Sequence, residues 1–500
     1  MKILVIVRRI SQAFFFTLFL YILWSMTYPL HGILQPDAFF KIDPLIAIFT
    51  SISERMILPG IWLAGVMLIL TLVLGRFFCG WACPLGALID LCGNIRRKKI
   101  NLSEAKNKKL HSVKYYILAV IALFSFFGIQ IAWVADPTVI AARFVSLNFI
   151  PFVTSGLDKA FIFLIKHLNF YGPVYDFYRS LKFSFLGIHT YYFSHSWIIF
   201  AFFVFICALS AAIRRLWCRA ICPLGGLYAL VARFSMLSRE VKECTGCLRC
   251  KNYCRMAAIK SDLSYFKGEC ILCMDCIYDC PARATGFTWH FPKKDSGGKV
   301  GGLSRRDFIF LMLASFLSLG FINVKKGICP ARLIRPPAAL KEEEFLNRCL
   351  RCGNCMRVCI TNGLQPVIFE SGIMGIWTPQ LVPEIGYCEY DCLLCGNTCP
   401  TGAIQPLSLE DKRSVKLGLA KIDRSICIAW ARDMECIVCQ EHCPVPQKAI
   451  KLREYFSGSR TILKPHVDEN ACVGCGICQN KCPTRPVRAI RVSSENSARF

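Results

Sequence analysis

No C-x-x-C-H occurs anywhere in the 500-residue chain, which excludes covalently attached c-type haem. The eight histidines, His31, His111, His167, His189, His195, His290, His442 and His466, fall in loops or at the ends of apolar runs. No pair of them is set to ligate a haem in mid-membrane. No glycine fingerprint follows a strand, so a dinucleotide module is excluded as well, and no substrate-reducing centre is recognisable. Acids are scarce: 33 Asp and Glu stand against 60 Lys and Arg, a net charge of +27. Such a balance alone would suit nucleic acid. The basic residues flank apolar runs, however, where they set orientation in a membrane, and no nucleic-acid partner is expected.

What is abundant is apolar sequence, with a mean hydropathy of +0.44. Four runs, 10–28, 58–78, 113–135 and 197–213, approach the roughly 20 residues that cross a hydrocarbon core. Lys2, Arg8 and Arg9 precede the first; Arg76, Arg96, Arg97, Lys98, Lys99, Lys106, Lys108 and Lys109 lie between the second and third; Arg214, Arg215 and Arg219 follow the fourth. The positive-inside rule puts these segments in the cytoplasm. The loop 136–196 is then outside, its stretch 160–170 an interfacial helix. A fifth apolar run, 308–322, follows Ser304-Arg305-Arg306-Asp307-Phe308-Ile309, which resembles an internal twin-arginine export signal. Alternatively the two arginines anchor a short helix. Both readings place the remainder outside the cytoplasm, and with no small-residue cleavage site the segment is expected to stay as an anchor.

Cysteine is the other abundance. The 31 cysteines bunch two or three residues apart, too tightly for ordinary disulfide loops, so metal-thiolate chemistry is the better reading. Cys244, Cys247, Cys250, Cys254 and Cys270, Cys273, Cys276, Cys280 write the bacterial ferredoxin run C-x2-C-x2-C-x3-C twice. Three cysteines wrap one [4Fe-4S] cubane and the fourth reaches the neighbour. The expected sets are Cys244, Cys247, Cys250 with Cys280, and Cys270, Cys273, Cys276 with Cys254. Arg255 stands where proline usually follows. Structural zinc would take C-x2-C pairs set well apart.

The pattern repeats downstream. Cys349, Cys352, Cys355, Cys359 and Cys472, Cys475, Cys478, Cys482 keep the standard spacing; Cys388, Cys392, Cys395, Cys399 and Cys427, Cys436, Cys439, Cys443 widen the first gap. Longer loops add little closure entropy, so all four copies can ligate. Six [4Fe-4S] clusters on 24 cysteines follow. Spacing leaves open whether neighbours exchange their fourth cysteine or the first copy pairs with the fourth.

A second kind of pair occurs in RFFCGWACPLGALIDL from Arg76 and RLWCRAICPLGGLYAL from Arg215. Each contains C-x3-C-P, giving Cys79 with Cys83 and Cys218 with Cys222. A spacing of four puts each pair on one helical face, and proline suits the first turn of a new helix. Four converging thiols would suit a further cluster or Cu(I), two vicinal pairs a dithiol/disulfide couple, and a repeated turn a structural role only. Cys92, Cys207 and Cys329 read as inert single residues.

These residues carry a family resemblance. The N-terminal half is similar to NapH-type membrane ferredoxins, with NosR and CcoG as more distant relatives; from Arg305 onward, including IRPPAALKEEEFLNRCLRCGNCMRVC and Gln365-Pro366, the chain resembles NapG. The resemblance implies an α-helical polytopic membrane domain plus α+β ferredoxin-like 4Fe-4S domains in the cytoplasmic membrane. Its expected parts are a four-span domain (1–235), a cytoplasmic two-cluster domain (236–290), a linker (291–304), a signal or anchor helix (305–324) and an extracytoplasmic four-cluster domain (325–500). It also implies oxidation of menaquinol from the quinone pool and delivery to an extracytoplasmic reductase or electron carrier. The alternative is a maturation factor that reduces a copper or thiol centre in another protein.

Overall fold

Apolar runs without internal breakers fold as helices, and a glycine, a proline or an arginine sets where each one stops. The computed structural model describes residues 2–26, 35–93, 100, 102–167, 172–182, 191–290, 305–323, 333–457 and 460–500. The expected linker 291–304, the basic run Arg96 to Lys99, His31, His189 and Cys329 lie outside the described residues. Two compact units are present. One comprises 1–23, 37–144 and 198–324; the other comprises 24–36, 145–197 and 325–500.

Among the described residues, three helices are long and apolar enough to cross a membrane: Ile3–Trp24, Glu104–Phe126 and Pro137–His167. The first two realise the first and third apolar runs. The second and fourth runs form shorter helices, Ile61–Leu74 and Ser196–Ala212, because the chain breaks before the arginine that opens each C-x3-C-P repeat. Gly75 takes a φ of +90° there and Arg215 one of +47°. Pro137–His167 falls where the linear reading has an external loop. Its polar residues lower the hydropathy, but its two buried charged residues have partners within the protein: Arg143 donates to the Trp133 carbonyl at 3.4 Å, and Asp158 accepts from Tyr178 at 2.9 Å and Lys182 at 3.3 Å. A π-turn at Val145–Phe149 leads the helix past Pro151.

The segment that carries Cys244 to Cys280 belongs to the first unit. Strands β1 (Leu237–Val241) and β2 (Thr285–Trp289) pair antiparallel and close the segment between them. This segment sits directly on the helices. Trp81 Nε1 donates to the Leu272 carbonyl at 3.0 Å, and a Cβ on Gly80 would come within 2.2 Å of the Ile271 oxygen, so only glycine fits. The helix Arg305–Asn323 packs Phe316 on Phe127 with ring centroids 5.7 Å apart.

In the second unit the four downstream motifs are held by short antiparallel pairs: β3 (Leu364–Pro366) with β4 (Pro379–Leu381), β5 (Leu419–Ile422) with β8 (Ile490–Ser493), and β6 (Ile450–Ser457) with β7 (Arg460–Val467). The segment before Trp197 packs on this domain. The Tyr192 carbonyl accepts from Asn362 at 2.7 Å and Gln365 at 3.0 Å, and Gln365 Oε1 accepts from the Ser194 amide at 2.9 Å.

Glu269 is the knot of the first unit. Its carboxylate accepts from Arg76 at 3.3 Å, from Tyr115 at 3.0 Å and from Lys114, all largely buried. Burial alone would raise this carboxyl, but Lys114, His111 and Arg76 outweigh it and hold it at about 2. Its contribution to stability is therefore present above the ordinary Glu range of about 4.3 and is lost as pH falls toward 2. Glu269→Ala, which leaves two buried cations without their acceptor, is expected to cost about 3–5 kcal/mol. Thermal unfolding of the detergent-solubilised protein at neutral pH reads this, and an unchanged midpoint would contradict the assignment.

Candidate iron-sulfur centres

A thiolate must be drawn out of a hydrophobic environment by a metal or a cation, so the company each cysteine keeps is informative. Three cavities in the structure are each lined by four cysteines. Cys270, Cys273 and Cys276 share one of about 410 Å³ with Cys254. Cys388, Cys392 and Cys395 share one of about 430 Å³ with Cys359. Cys427, Cys436 and Cys439 share one of about 370 Å³ with Cys482.

Cys349, Cys355 and Cys399 pack in one buried cluster. In each cavity the fourth cysteine comes from a neighbouring motif: the Cys388 set takes Cys359 of the first motif and the Cys427 set takes Cys482 of the last. The widened gaps do not disturb this, because the extra residues of the third motif form the short helix Ile428–Ala431 and the turn after it.

The donor sets fit iron-sulfur clusters. Backbone N–H groups point at sulfur, from Ala258 to Cys254 at 3.3 Å, Ala284 to Cys280 at 3.3 Å and Ile404 to Cys399 at 3.4 Å, the kind of contact that tunes a cluster's potential. Burial pushes bare Cys270, Cys439 and Cys475 up to about 12, so they need a metal to stay as thiolates. Among the described residues no three His, Cys, Asp or Glu side chains are close enough to hold a single ion.

The C-x3-C-P cysteines also converge. Cys79, Cys83, Cys218 and Cys222 are each no more than 7% exposed and mutually coupled across the two repeats. The repeats clasp each other: Arg76 Nη2 donates to the Cys218 carbonyl at 3.0 Å, and Arg215 Nη1 donates to the Cys79 carbonyl at 2.9 Å. One detail differs from the sequence expectation. Each pair spans a helix break rather than sharing a helical face, and the second thiol accepts from the first turn of the new helix, Gly86 N to Cys83 at 3.4 Å and Gly225 N to Cys222 at 3.2 Å.

Arg255, noted in the sequence only for standing in place of proline, has a role, and several other contributors were not singled out there. Arg255 pairs with Asp90 at 3.0 Å and with Asp275, and Asp90 also holds Arg215, so the missing proline is exchanged for a tie between the ferredoxin and the second repeat. Arg239 reaches Cys250 Sγ at 3.5 Å, Lys448 the Cys443 carbonyl at 2.7 Å and Arg485 the Cys482 carbonyl at 2.7 Å. The basic excess was the available signal, but linear order could not say which cations turn inward. Cys92 and Cys207, read as inert singles, meet with sulfurs 3.2 Å apart.

Comparison with known proteins supports iron-sulfur binding. A 4Fe-4S binding domain model matches residues 56–103 and 195–241, the two C-x3-C-P repeats, and a 4Fe-4S dicluster domain model matches 433–485. The methylamine utilization ferredoxin-type protein MauM of Methylophilus methylotrophus is 33% identical over 155 residues, covering 30% of this chain and 67% of that protein. The chain belongs to this ferredoxin-type family. The ferredoxin-type protein NapG of Escherichia coli is 32% identical over 154 residues, 30% of this chain and 65% of NapG. The regulatory protein NosR of Stutzerimonas stutzeri is 28% identical over 244 residues, 47% of this chain and 26% of NosR. The chain thus spans about two thirds of the length of MauM and NapG and about a quarter of NosR. No solved structure matches. It is a 4Fe-4S ferredoxin-type protein with candidate membrane-spanning helices.

The exchange has a spectroscopic consequence. Cys359→Ser is expected to alter the signal of the Cys388 set and leave that of the Cys349 set, while Cys399→Ser does the reverse; paramagnetic resonance of the reduced protein separates them. The opposite assignment would restore in-line ligation within each motif.

Proposed function

We propose that the chain is a membrane electron carrier that takes electrons from menaquinol and delivers them to an extracytoplasmic reductase. The observation that carries this is the ordering of the outer thiol sets. The Cys349 and Cys388 sets interlock through Cys359 and Cys399, the Cys427 and Cys472 sets through Cys443 and Cys482, and the Cys388 amide donates to the Cys475 carbonyl at 2.8 Å. The spatial order is therefore Cys349 set, Cys388 set, Cys472 set, Cys427 set. A file of centres whose order departs from the chain suits conduction across a domain, with the Cys427 set at the far end.

Six ferredoxin-type sets and the C-x3-C-P quartet would each hold one [4Fe-4S] cluster, and each cluster supplies a one-electron step. The family match on 56–103 and 195–241 supports the seventh. In this reading the protein is a multi-pass protein of the cytoplasmic membrane. The N-terminus and the two-cluster ferredoxin lie on the cytoplasmic side and the outer ferredoxin on the other, on the basis of the basic residues that flank the spans. A maturation factor would need thiols that a client can reach. The quartet is buried, which favours electron transfer over copper or thiol reduction.

Anaerobically purified protein is expected to contain about 28 iron and 28 labile sulfide per chain; a value near 24 would leave the quartet as dithiols. A menaquinol analogue added to membranes should bleach the cluster absorbance. Reduction only by a cytoplasmic ferredoxin or flavodoxin would remove quinol as donor and make the two inner centres the entry port.

A further inference from the structure

Two carboxyl groups lie buried together in the unit that carries the C-x3-C-P quartet. Asp43 is 2% exposed and Asp136 0%. Each caps a helix start: Asp43 Oδ1 accepts from the Leu45 amide at 3.0 Å, and Asp136 Oδ1 from the Thr138 and Val139 amides at 2.9 and 3.0 Å. The Thr138 hydroxyl bridges them, 2.9 Å from Asp43 and 2.6 Å from Asp136. Asp136 Oδ2 receives no donor from the described residues. The Thr138 hydroxyl has one proton and can donate to only one of the two carboxyls it touches, so its contact with the other requires a proton on that carboxyl.

Capping alone would use one oxygen of each and leave nothing unsatisfied. Here other buried groups remain without partners. Among the described residues the Tyr228 hydroxyl, 0% exposed, has no hydrogen-bond partner, nor has Gln130 Oε1. The Tyr228 ring lies 5.6 Å from that of Phe78, next to Cys79, and its helix, Pro223–Ala232, packs on Pro44–Glu54, which Asp43 caps, while Pro84–Gly93, which follows Cys83, packs on Pro137–Phe144, which follows Asp136. Tyr228 stands six residues along the helix that Cys222 caps, about 9 Å of rise. The remaining ionisable groups on the surrounding elements have other partners: Lys41 pairs with Asp37, Lys114 and Tyr115 with Glu269, His111 with the Met256 carbonyl, and Arg143 with the Trp133 carbonyl. Ionisable groups buried in a membrane domain are costly to keep and point to function.

We propose that Asp43 and Asp136 form a shared-proton site that takes up a proton when an iron-sulfur cluster held by the neighbouring thiol quartet gains an electron. The proposal rests on the quinol reading above and supplies what that reading lacks, a destination for the protons. A hydroquinone loses two O–H protons and two electrons and leaves as the quinone. With each electron passed to the quartet, one O–H bond of the donor breaks and one forms on the carboxylate of the pair; the pair releases that proton to water before the next arrives. Tyr228 is a positioning residue, its hydroxyl placed to lengthen the path toward the quartet.

The test is redox-difference infrared spectroscopy of the full protein, reduced with dithionite and one-electron mediators so that no quinol is involved. A protonated-carboxyl band that shifts in deuterium oxide is expected to change on reduction, and to vanish from the difference spectrum in both Asp43→Asn and Asp136→Asn. Asparagine caps helices as well as aspartate does, so both variants should fold. The potential of the quartet should fall tenfold in equilibrium constant per pH unit, about 59 mV, and become pH-independent in the double variant; Tyr228→Phe should keep the band and slow its appearance. A band that persists in both asparagine variants, or a wild-type difference spectrum without one, overturns the proposal. Failure of menaquinol to reduce the wild type would overturn only the functional reading.

Discussion

Sharing of the fourth cysteine is the constraint from which the ferredoxin parts of this protein follow. A set such as Cys270, Cys273, Cys276 with Cys254 closes only when two motifs face each other, so neither motif can fold alone. The flanking strands then have to meet, and β1 with β2 and β5 with β8 do so in the same antiparallel manner. Buried bare thiols resist ionisation, so the metal that holds them as thiolates supplies part of the folding free energy itself. Short helices of four or five residues suffice around each set, since the ligands rather than a large apolar core hold the loops.

Once negative centres are placed close together, positive charge must follow them inward. The crossed bonds from Arg76 and Arg215 to the opposite repeat's first cysteine do two things: they hold the quartet in register and they bring a guanidinium to each pair. Their anchors are acids from elsewhere in the unit, Glu269 for Arg76 and Asp90 for Arg215. Arg357 takes this further in the outer domain. Its guanidinium is buried without a hydrogen-bond partner, stacked 4.4 Å from the Tyr191 ring, two residues from both Cys355 and Cys359. Part of the net charge of +27 thus turns inward toward the cysteine sets.

The cysteine spacing made the six ferredoxin-type sets legible, because the run encodes its own geometry. It was silent about the outer exchange: pairing of neighbours and pairing of first with fourth have the same local pattern, and only the packing decides. The spans were legible in part. Hydropathy counts residues without knowing their partners, so it overlooked Pro137–His167, whose Arg143 and Asp158 are satisfied internally, and it overran Leu74 and Ala212, where the chain turns to deliver an arginine. Asp43 and Asp136, 93 positions apart in the chain, carry no motif; each looks like an ordinary helix cap.

An electron carrier built only of iron-sulfur sets has no place to put a proton, whereas a quinol gives up protons and electrons together. The first unit sets the two requirements side by side. Trp81, between Cys79 and Cys83 in sequence, donates to Leu272, between Cys270 and Cys273, so the quartet and the inner ferredoxin share a direct covalent and hydrogen-bonded link. On the quartet's other flank, the helix that Cys222 caps carries Tyr228 toward the carboxyl pair. Each such capped helix presents its N-terminal amides to sulfur, a position that favours negative charge, while the acids cap helices of their own. Paired helix starts therefore serve both functions: one pair of starts stabilises the thiols' electron, the other stabilises the carboxylates that accept its proton.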